Sequence, residues 1–388
     1  MTNKRTSVSA IDIGTTKMRA AIAHLDSERR VRVRGMGIVP SRGTWAGIIV
    51  NVDEARESIS AAVKEAEKAS SIRAKQACVG VGRYPGYPKP VCTAFTRHDV
   101  KVSPEDVKAA LYSDSTYRDL AHCIHGFPVH GQIGITVSPV ASVVNTAKCL
   151  RGIDIEPVYL VHRPLATSIA LLEPGEKKAH PALIDIGGNV TDIATFKDSV
   201  LQQVWTFRAG GIHITTDIAI ANTDISWEMA EKLKKRLGRI ITPSASNDST
   251  DQDSFQTDEN GHSVSSNYLN KIITDRMKNM LEAIKAELSS DSEVSNVVLT
   301  GGTSNLPGIV TLAEQIFSLP VRVGTPSGVY DLPNAFMSPE YATVIGLLLW
   351  NAEHPGQNST AKRPWQVFRT KLKRPLRFIR GAKRRQRG

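Results

Sequence analysis

The feature that most limits what this chain can fold into is an internal echo. Ala10-Ile11-Asp12-Ile13-Gly14-Thr15-Thr16 returns as Leu183-Ile184-Asp185-Ile186-Gly187-Gly188-Asn189. Each copy is a short apolar run that closes on an aspartate and a glycine-bearing turn. Strand-forming residues follow both times, 18–23 in the first copy and 193–196 with 201–207 in the second. Strand, acid, turn and strand in the same order twice imply two similar halves. A chain of 388 residues is long enough for two or more domains.

In the first half, apolar runs at 8–12, 18–24 and 31–37 predict a three-stranded meander. Ala55, Ile59, Ala62, Val63 and Ala66 predict a helix over 53–69, with Asn51 or Asp53 as its cap. A strand at 78–81 follows. The segment 84–130 breaks this pattern with Pro85, Pro88, Pro90, Pro104 and Pro128 and an acidic helix start at Ser103-Pro104-Glu105-Asp106, as a small inserted unit would. Patterning resumes with a strand at 133–137 and a helix at 141–152. Residues 243–267, rich in Ser, Asp, Asn and Thr, read as a mobile surface loop. A helix at 270–288, a strand at 297–299, a helix at 307–317 and an apolar helix at 341–350 complete the body.

Composition excludes several classes. With 41% hydrophobic and 22% charged residues the chain is globular rather than disordered or fibrous. It has no run of 18 apolar residues, and 1–6 are polar and basic, so neither a membrane span nor a secretory signal is expected. Cys78, Cys92, Cys123 and Cys149 form no CxxC pair, which argues against a zinc site or disulfide framework and for a reducing cytoplasm. His122-Cys123-Ile124-His125 lacks a second ligand cluster and reads as structural. The net charge of +11 is carried by residues 362–388, which hold 12 Lys and Arg and no acid. The body is close to neutral.

A carboxylate at a strand end before a glycine-rich turn suits a phosphate and metal site, because backbone N–H groups can approach phosphate and the acid can hold Mg²⁺ through water. Two such turns facing one another would clamp a nucleotide. Lys17 adds a cation to the first turn, and a third glycine-rich strand end lies at Val298-Leu299-Thr300-Gly301-Gly302-Thr303-Ser304, with Gly210-Gly211 as a fourth. A single copy alone would read as an ordinary hairpin turn.

With these loops in this order the chain resembles the actin-like ATPase superfamily and, within it, the FtsA family of bacterial cell-division proteins that tether FtsZ filaments to the membrane. Pro40-Ser41-Arg42-Gly43 with Gly47 and Asn51, Val102-Ser103-Pro104-Glu105-Asp106-Val107, and Ala230-Glu231-Lys232-Leu233-Lys234 with Arg236 and Gly238 carry the closer likeness. It spans about residues 7–350. The resemblance implies an α/β actin-like fold of two similar halves with ribonuclease-H-like βββαβα cores, a small α+β insert and a basic amphipathic tail. The implied units are 7–84 with 133–180, a shortened insert at 85–132, 181–212 with 294–350, a small subdomain at 213–293, a linker at 351–361 and the tail at 362–388.

Carried over, the family pattern places Asp12, Gly14, Thr15, Thr16 and Lys17 at the phosphates of ATP. Asp185, Gly187, Gly188, Asn189 and Thr191 stand opposite. Asp12 and Asp185 hold Mg²⁺ through water, Glu231 and Lys234 hold the ribose and base, and Gly301, Gly302 and Thr303 pack on the adenosine. Without the loops, Glu231 and Lys234 would read as a solvated ion pair. Arg276 matches the position that receives the FtsZ C-terminal peptide. Self-association and other division partners are implied as well.

The chain departs from the superfamily and family patterns in several places, among them Asn279, where the family often has an acid three residues after the position of Arg276. Asn189 stands where the family has a third glycine, and asparagine is the residue that otherwise best tolerates a left-handed backbone. The insert is short. At the hinge, where filament-forming and chaperone relatives place a water-orienting Glu, this chain reads His162-Arg163-Pro164-Leu165-Ala166, which predicts ATP binding with slow or absent hydrolysis.

In the tail, Trp365, Phe368, Leu372, Leu376 and Ile379 fall three or four apart on one helical face, with Phe378 beside them, Pro375 a kink and basic residues around them. Such a segment lies on anionic lipid. The location implied is cytoplasmic, peripheral on the inner face of the cell membrane at the division site. Two alternatives stay open: an actin-like adaptor for another membrane assembly, such as a pilus, and a DNA-segregation filament protein whose tail binds nucleic acid, the less favoured partner given the apolar spacing.

Overall fold

The computed structural model describes residues 6–82, 95–96, 122–129, 132–222, 224–241, 255–257, 263–288 and 293–354. Its two echo segments are the central strands of two five-stranded sheets. In the first, β1 (Ser7–Ile13), β2 (Lys17–Leu25) and β3 (Val31–Pro40) form an antiparallel meander. A minimal hairpin of β4 (Thr44–Trp45) and β5 (Ile48–Ile49) leads into α1 (Val52–Ser70), and the chain returns in β6 (Gln76–Val81), parallel to β1. Three strands, β7 (Phe95–Thr96), β8 (His122–Val129) and β9 (Gln132–Pro139), make a separate antiparallel sheet ordered β7-β9-β8. Helix α2 (Val140–Arg151) then feeds β10 (Glu156–His162), parallel to β6.

Helices α3 (Arg163–Leu171) and α4 (Pro174–Lys178) lead to the second half. There β11 (Pro181–Ile186), β12 (Thr191–Lys197) and β13 (Val200–Phe207) repeat the meander. Next come α5 (Gly211–Ala221), α6 (Trp227–Leu237), the ribbon β14 (Phe255–Thr257) with β15 (Ser263–Ser265), and α7 (Ser266–Leu288). Strand β16 (Asn296–Thr300), α8 (Ile309–Phe317), β17 (Val321–Val323) and α9 (Ala342–Glu353) complete the body. The sheet orders β3-β2-β1-β6-β10 and β13-β12-β11-β16-β17 are the same topology, three antiparallel strands followed by two parallel ones. This is the α/β architecture of two similar halves that the echo implies.

Alternation along the central strands explains where each core sits. Ile11 and Ile13 face a core shared with Ile59, Ala62 and Leu150, while Val8 and Ala10 face the opposite way. In the second half Ile184 and Ile186 face Ile214, Ile273, Met277 and Leu281, and Leu183 faces back. The inward faces meet in one core filled by α3 and α9, with Leu165, Ala166 and Ala170 against Val344, Leu347 and Leu348. Helix α1 starts where predicted: the Asn51 side chain accepts from the backbone N–H groups of Asp53 and Glu54.

Several elements differ from the sequence reading. Within 243–267, residues 255–257 and 263–265 pair as a ribbon, and α7 begins at Ser266 rather than at 270. The sequence also left α5 unassigned. Its Ile214-Thr215-Thr216 and Ile218 favour strand on local propensity, but a helix buries Ile214, Thr215 and Ile218 on one side, and tertiary packing overrides the preference. The acidic helix start at 103–106 and the whole of 362–388, with Trp365, Phe368, Leu372, Leu376, Phe378 and Ile379, lie outside the described residues. Among the described residues no helix is long and apolar enough to cross a membrane.

Helices α3 and α9 cross by backbone contact, since a Cβ at Gly346 would sit 1.8 Å from the Ala166 carbonyl oxygen. Gly346→Ala must therefore push the two helices apart and lower stability by about 1–3 kcal/mol. Denaturant midpoints of the two proteins measure this, and an unchanged midpoint would show that the crossing yields freely.

Candidate functional site

Both glycine turns open into a cavity of about 730 Å³ between the halves. Asp12 and Asp185 occupy matching places, near the ends of β1 and β11, with Gly80 and Thr300 beside them on the parallel neighbours. Across each hairpin, seven residues on, stands a second charged side chain. Asp12 pairs in register with Arg19, and Asp185 pairs with Asp192. The first hairpin thus carries its own counter-charge, and the second doubles its negative charge.

Arg163, the first residue of α3, resolves that imbalance. Its Nη2 donates to Asp192 Oδ2 at 2.7 Å, and its Nη1 reaches the Ile13 carbonyl at 3.4 Å. Thr206 Oγ1 donates to the other Asp192 oxygen at 2.7 Å. Arg19 Nη1 lies 3.5 Å from Asp12, while its Nη2 donates to Glu340 at 2.8 Å. Lys17 Nζ also donates to Glu340, at 2.9 Å. Cations of the first half and the hinge thus meet carboxylates of the second on both flanks of the cleft.

Asp185 is left without an ion pair among the described residues; the Thr343 hydroxyl stands 3.5 Å from its Oδ2. Burial pushes its carboxyl up to about 7, the Asp192 charge adds to the rise, and Arg163 opposes it. Burial raises Asp12 too, against the pull of Arg19 and Arg163. Arg163 holds its proton more firmly than usual: burial weakens that hold, and Asp192, Asp12 and Asp185 outweigh it.

On the other flank, Lys234 on α6 donates to the Gly211 carbonyl at 2.9 Å, to Thr215 at 2.7 Å and to Glu231 at 2.6 Å. Glu231 also receives the Thr215 hydroxyl and pairs with Lys235 at 2.9 Å. Burial would raise the Glu231 carboxyl, but Lys234, Lys235 and Thr215 hold it below the ordinary range. Burial lowers Lys234. These two residues are a half-buried pair facing the cavity rather than a solvated one.

Of the residues read from sequence, Asp12, Gly14, Thr15, Thr16, Lys17, Asp185, Gly187, Gly188, Glu231, Lys234, Gly301, Gly302 and Thr303 line one cavity. Thr191 does not: it is fully buried and donates to the Ala209 carbonyl at 2.8 Å, fastening β12 behind the turn. Asn189 also lies outside the lining, and its φ is not positive, so the missing glycine introduces no backbone strain there. Gly188 is required for another reason, since a Cβ there would meet Thr16 Cγ2 at 2.3 Å. Gly301 combines a φ of +85° with an approach of its would-be Cβ to Asp185 Oδ1 of 2.3 Å.

Arg276 stands apart from the cleft on α7, where its guanidinium forms a two-pronged bond to Asp217 of α5, 2.7 Å for Nη2 to Oδ1. The sequence reading passed over Arg19, Asp192, Glu340 and Thr343, and treated Arg163 only as an absent glutamate. The signal for two of them was present: Arg19 and Asp192 follow their aspartates by the same number of residues in both copies of the echo.

The donor set fits Mg²⁺, which favours hard oxygens and keeps most of its water. Of the carboxylates that line the cavity, Asp12 and Asp185 stand at the two turns, and Asp185 has no ion pair among the described residues. Among the described residues there is no group of three or more metal-ligating side chains, so phosphate and water would complete the shell.

With the fold and site in view, comparison with known proteins narrows the family. A family profile described as cell division protein FtsA matches residues 182–346. The FtsA proteins of Pseudomonas aeruginosa and Bacillus subtilis are 28% and 29% identical to this chain, covering 89% and 95% of it and 89% of each relative. A structure described as the PilM-PilN type IV pilus biogenesis complex superposes with a TM-score of 0.67 at 15% identity, covering 90% of this chain and 99% of that one. MreB5 of Spiroplasma citri bound to ADP gives 0.55 at 12%, covering 90% and 97%. The two structural likenesses establish the actin-like fold.

The elevated Asp185 carboxyl makes a pH prediction. Its folded value, about 7, lies above the unfolded one of 3.8, so the native state holds this proton more tightly. Its stabilising contribution is complete below about pH 4 and is lost as pH rises through about 7, a change of at most roughly 4 kcal/mol in nucleotide-free protein. Asp185→Asn should flatten the fall in stability between pH 5 and pH 8, read from urea unfolding at each pH; parallel curves for the two proteins would refute the assignment.

Proposed function

Taking the chain as FtsA-like, the likeness its sequence and its relatives share, we propose that it is an actin-like, ATP-binding cell-division protein. It self-associates and tethers FtsZ filaments to the inner face of the cytoplasmic membrane. The observation that carries the nucleotide part is the pair of aspartate-glycine turns facing each other across one cleft, with Lys17, Arg19 and Arg163 beside them. ATP lies between the turns, its adenosine against Gly301, Gly302 and Thr303 and its ribose and base held by Glu231 and Lys234. Asp12 and Asp185 hold Mg²⁺ through water, and the ion offsets phosphate charge when bound.

The hinge bears on turnover. A general base must accept a proton or orient water by an acceptor, and a guanidinium fixed on Asp192 does neither. Turnover is therefore slow or absent, and the nucleotide acts as a structural ligand that joins the halves. Gly188 against Thr16 supports a site whose two walls close directly on each other.

Membrane and FtsZ attachment rest on sequence and relatives. The tail residues Trp365, Phe368, Leu372, Leu376, Phe378 and Ile379 bury in the lipid interface, with the basic residues around them on anionic headgroups. Arg276, paired with Asp217 on the small subdomain, is a recognition point for the FtsZ C-terminal peptide. The short insert between residues 85 and 132 favours one second reading, an adaptor for another membrane assembly, for which FtsZ would not be the client.

Flotation with anionic vesicles, FtsZ and ATP separates these readings. The full chain should carry FtsZ upward, and a chain ending at Ala361 should lose vesicle binding by roughly ten-fold or more, in a salt-dependent way. Flotation of the protein without FtsZ would leave the second reading. Independently, Asp12→Ala or Asp185→Ala should weaken Mg-ATP binding roughly ten-fold or more, measured by calorimetry, while vesicle binding is kept. Unchanged affinity in both variants would remove the site.

A further inference from the structure

We propose that Arg163 contacts the terminal phosphate of the bound nucleoside triphosphate and is the residue by which the cleft distinguishes a triphosphate from a diphosphate. This rests on the nucleotide reading above and goes beyond it, because it gives the hinge cation a part in choosing between nucleotides.

Placement supports it first. Lys234 marks the nucleoside end, bonded to the Gly211 carbonyl, and the Gly211 N–H is in turn bonded to Gly187 O at 3.0 Å. Arg163 lines the same cavity at the other end, bonded to the carbonyl of Ile13 just before the first turn and to Asp192 just after the second. A phosphate chain running from Lys234 past Gly187 and between the turns therefore ends at Arg163.

The guanidinium is also held in a built socket. A Cβ at Gly47 would lie 2.6 Å from its Nη2, and one at Gly82 would lie 3.2 Å from the same atom, so the chain leaves these positions bare around it. Arg163 is more than nine-tenths buried, yet its Nε–H has no hydrogen-bond partner. Arg19, on the wall of the same cavity, has an equally orphaned Nε. Buried donors are nearly always satisfied, and here two unsatisfied ones belong to arginines that line one cavity. A phosphate supplies oxygens in the geometry that a guanidinium fork accepts.

Charge makes the contact selective. Asp12, Asp185 and Asp192 all face this end, and each further phosphate adds negative charge beside them. Arg163 offsets the last of these, whereas a diphosphate stops short of it.

The test uses the full chain and Mg²⁺, with dissociation constants for ATP and ADP measured by calorimetry on wild type, Arg163→Gln and Arg163→Lys. Wild type should prefer ATP. Arg163→Gln should weaken ATP binding roughly ten-fold or more and ADP binding less than about three-fold, with partial recovery in Arg163→Lys. Inorganic tripolyphosphate and pyrophosphate, as competitors without a base, should show the same split. Equal loss of ATP and ADP, or loss of neither, would identify Arg163 as a structural tie to Asp192 and overturn the inference. Removing a cation beside Asp192 risks unfolding, so Asp192→Asn is measured as well. It frees the guanidinium and should keep or enlarge the preference for ATP; its disappearance counts against the contact. Wild type that binds neither nucleotide would overturn the nucleotide reading itself, a result distinct from both.

Discussion

One charge asymmetry organises the cleft. The two halves repeat the same hairpin, but the residue facing the aspartate is Arg19 in the first and Asp192 in the second. Three carboxylates in so small a space, Asp12 and Asp192 buried and Asp185 partly so, cannot all be ionised without cations at hydrogen-bond distance. The second hairpin has none of its own and takes one from the hinge. Arg163 can reach Asp192 only while the start of α3 lies between the sheets, so the electrostatics of one half fix the position of the segment joining both.

The packing obeys the same logic. The inward faces of the central strands carry small residues such as Ala10, Ala21 and Ala194, which let α3 and α9 settle between the sheets. Outward faces carry isoleucines that bury under α1 in one half and under α5 and α7 in the other. Each sheet is thus covered on both sides, which parallel strands such as β6, β10, β16 and β17 require. The strand ends, freed from packing, are left to shape the site.

Much of this was legible beforehand. The echo identified both turns, short apolar runs gave the two meanders, and helical spacing gave α1 with Asn51 among its candidate caps. Local signals failed where contacts distant in sequence decide. Helix α5 was left unassigned because its β-branched residues say nothing of the helices that bury them. The ribbon at 255–257 and 263–265 hid in a polar stretch with no alternating run. Thr191 was placed at the nucleotide by the family pattern alone, and whether a hydroxyl faces a cavity or the backbone behind it depends on the strand's face. Arg19 and Asp192 were within reach, since only the register of a hairpin already inferred was needed to place them.

Helix α9 has a consequence for how the molecule comes into being. Its residues 342–353 are almost wholly buried, and Asn351 donates to the carbonyl of Ser9 at 3.0 Å, joining the far ends of the described chain. During synthesis the inward face of β1 therefore waits, uncovered, until nearly the whole body has been translated. Contacts of such long range also make folding slow. A nascent chain interrupted before residue 342 would carry both glycine turns and neither a closed core nor a finished cleft, so the cleft is completed late and all at once.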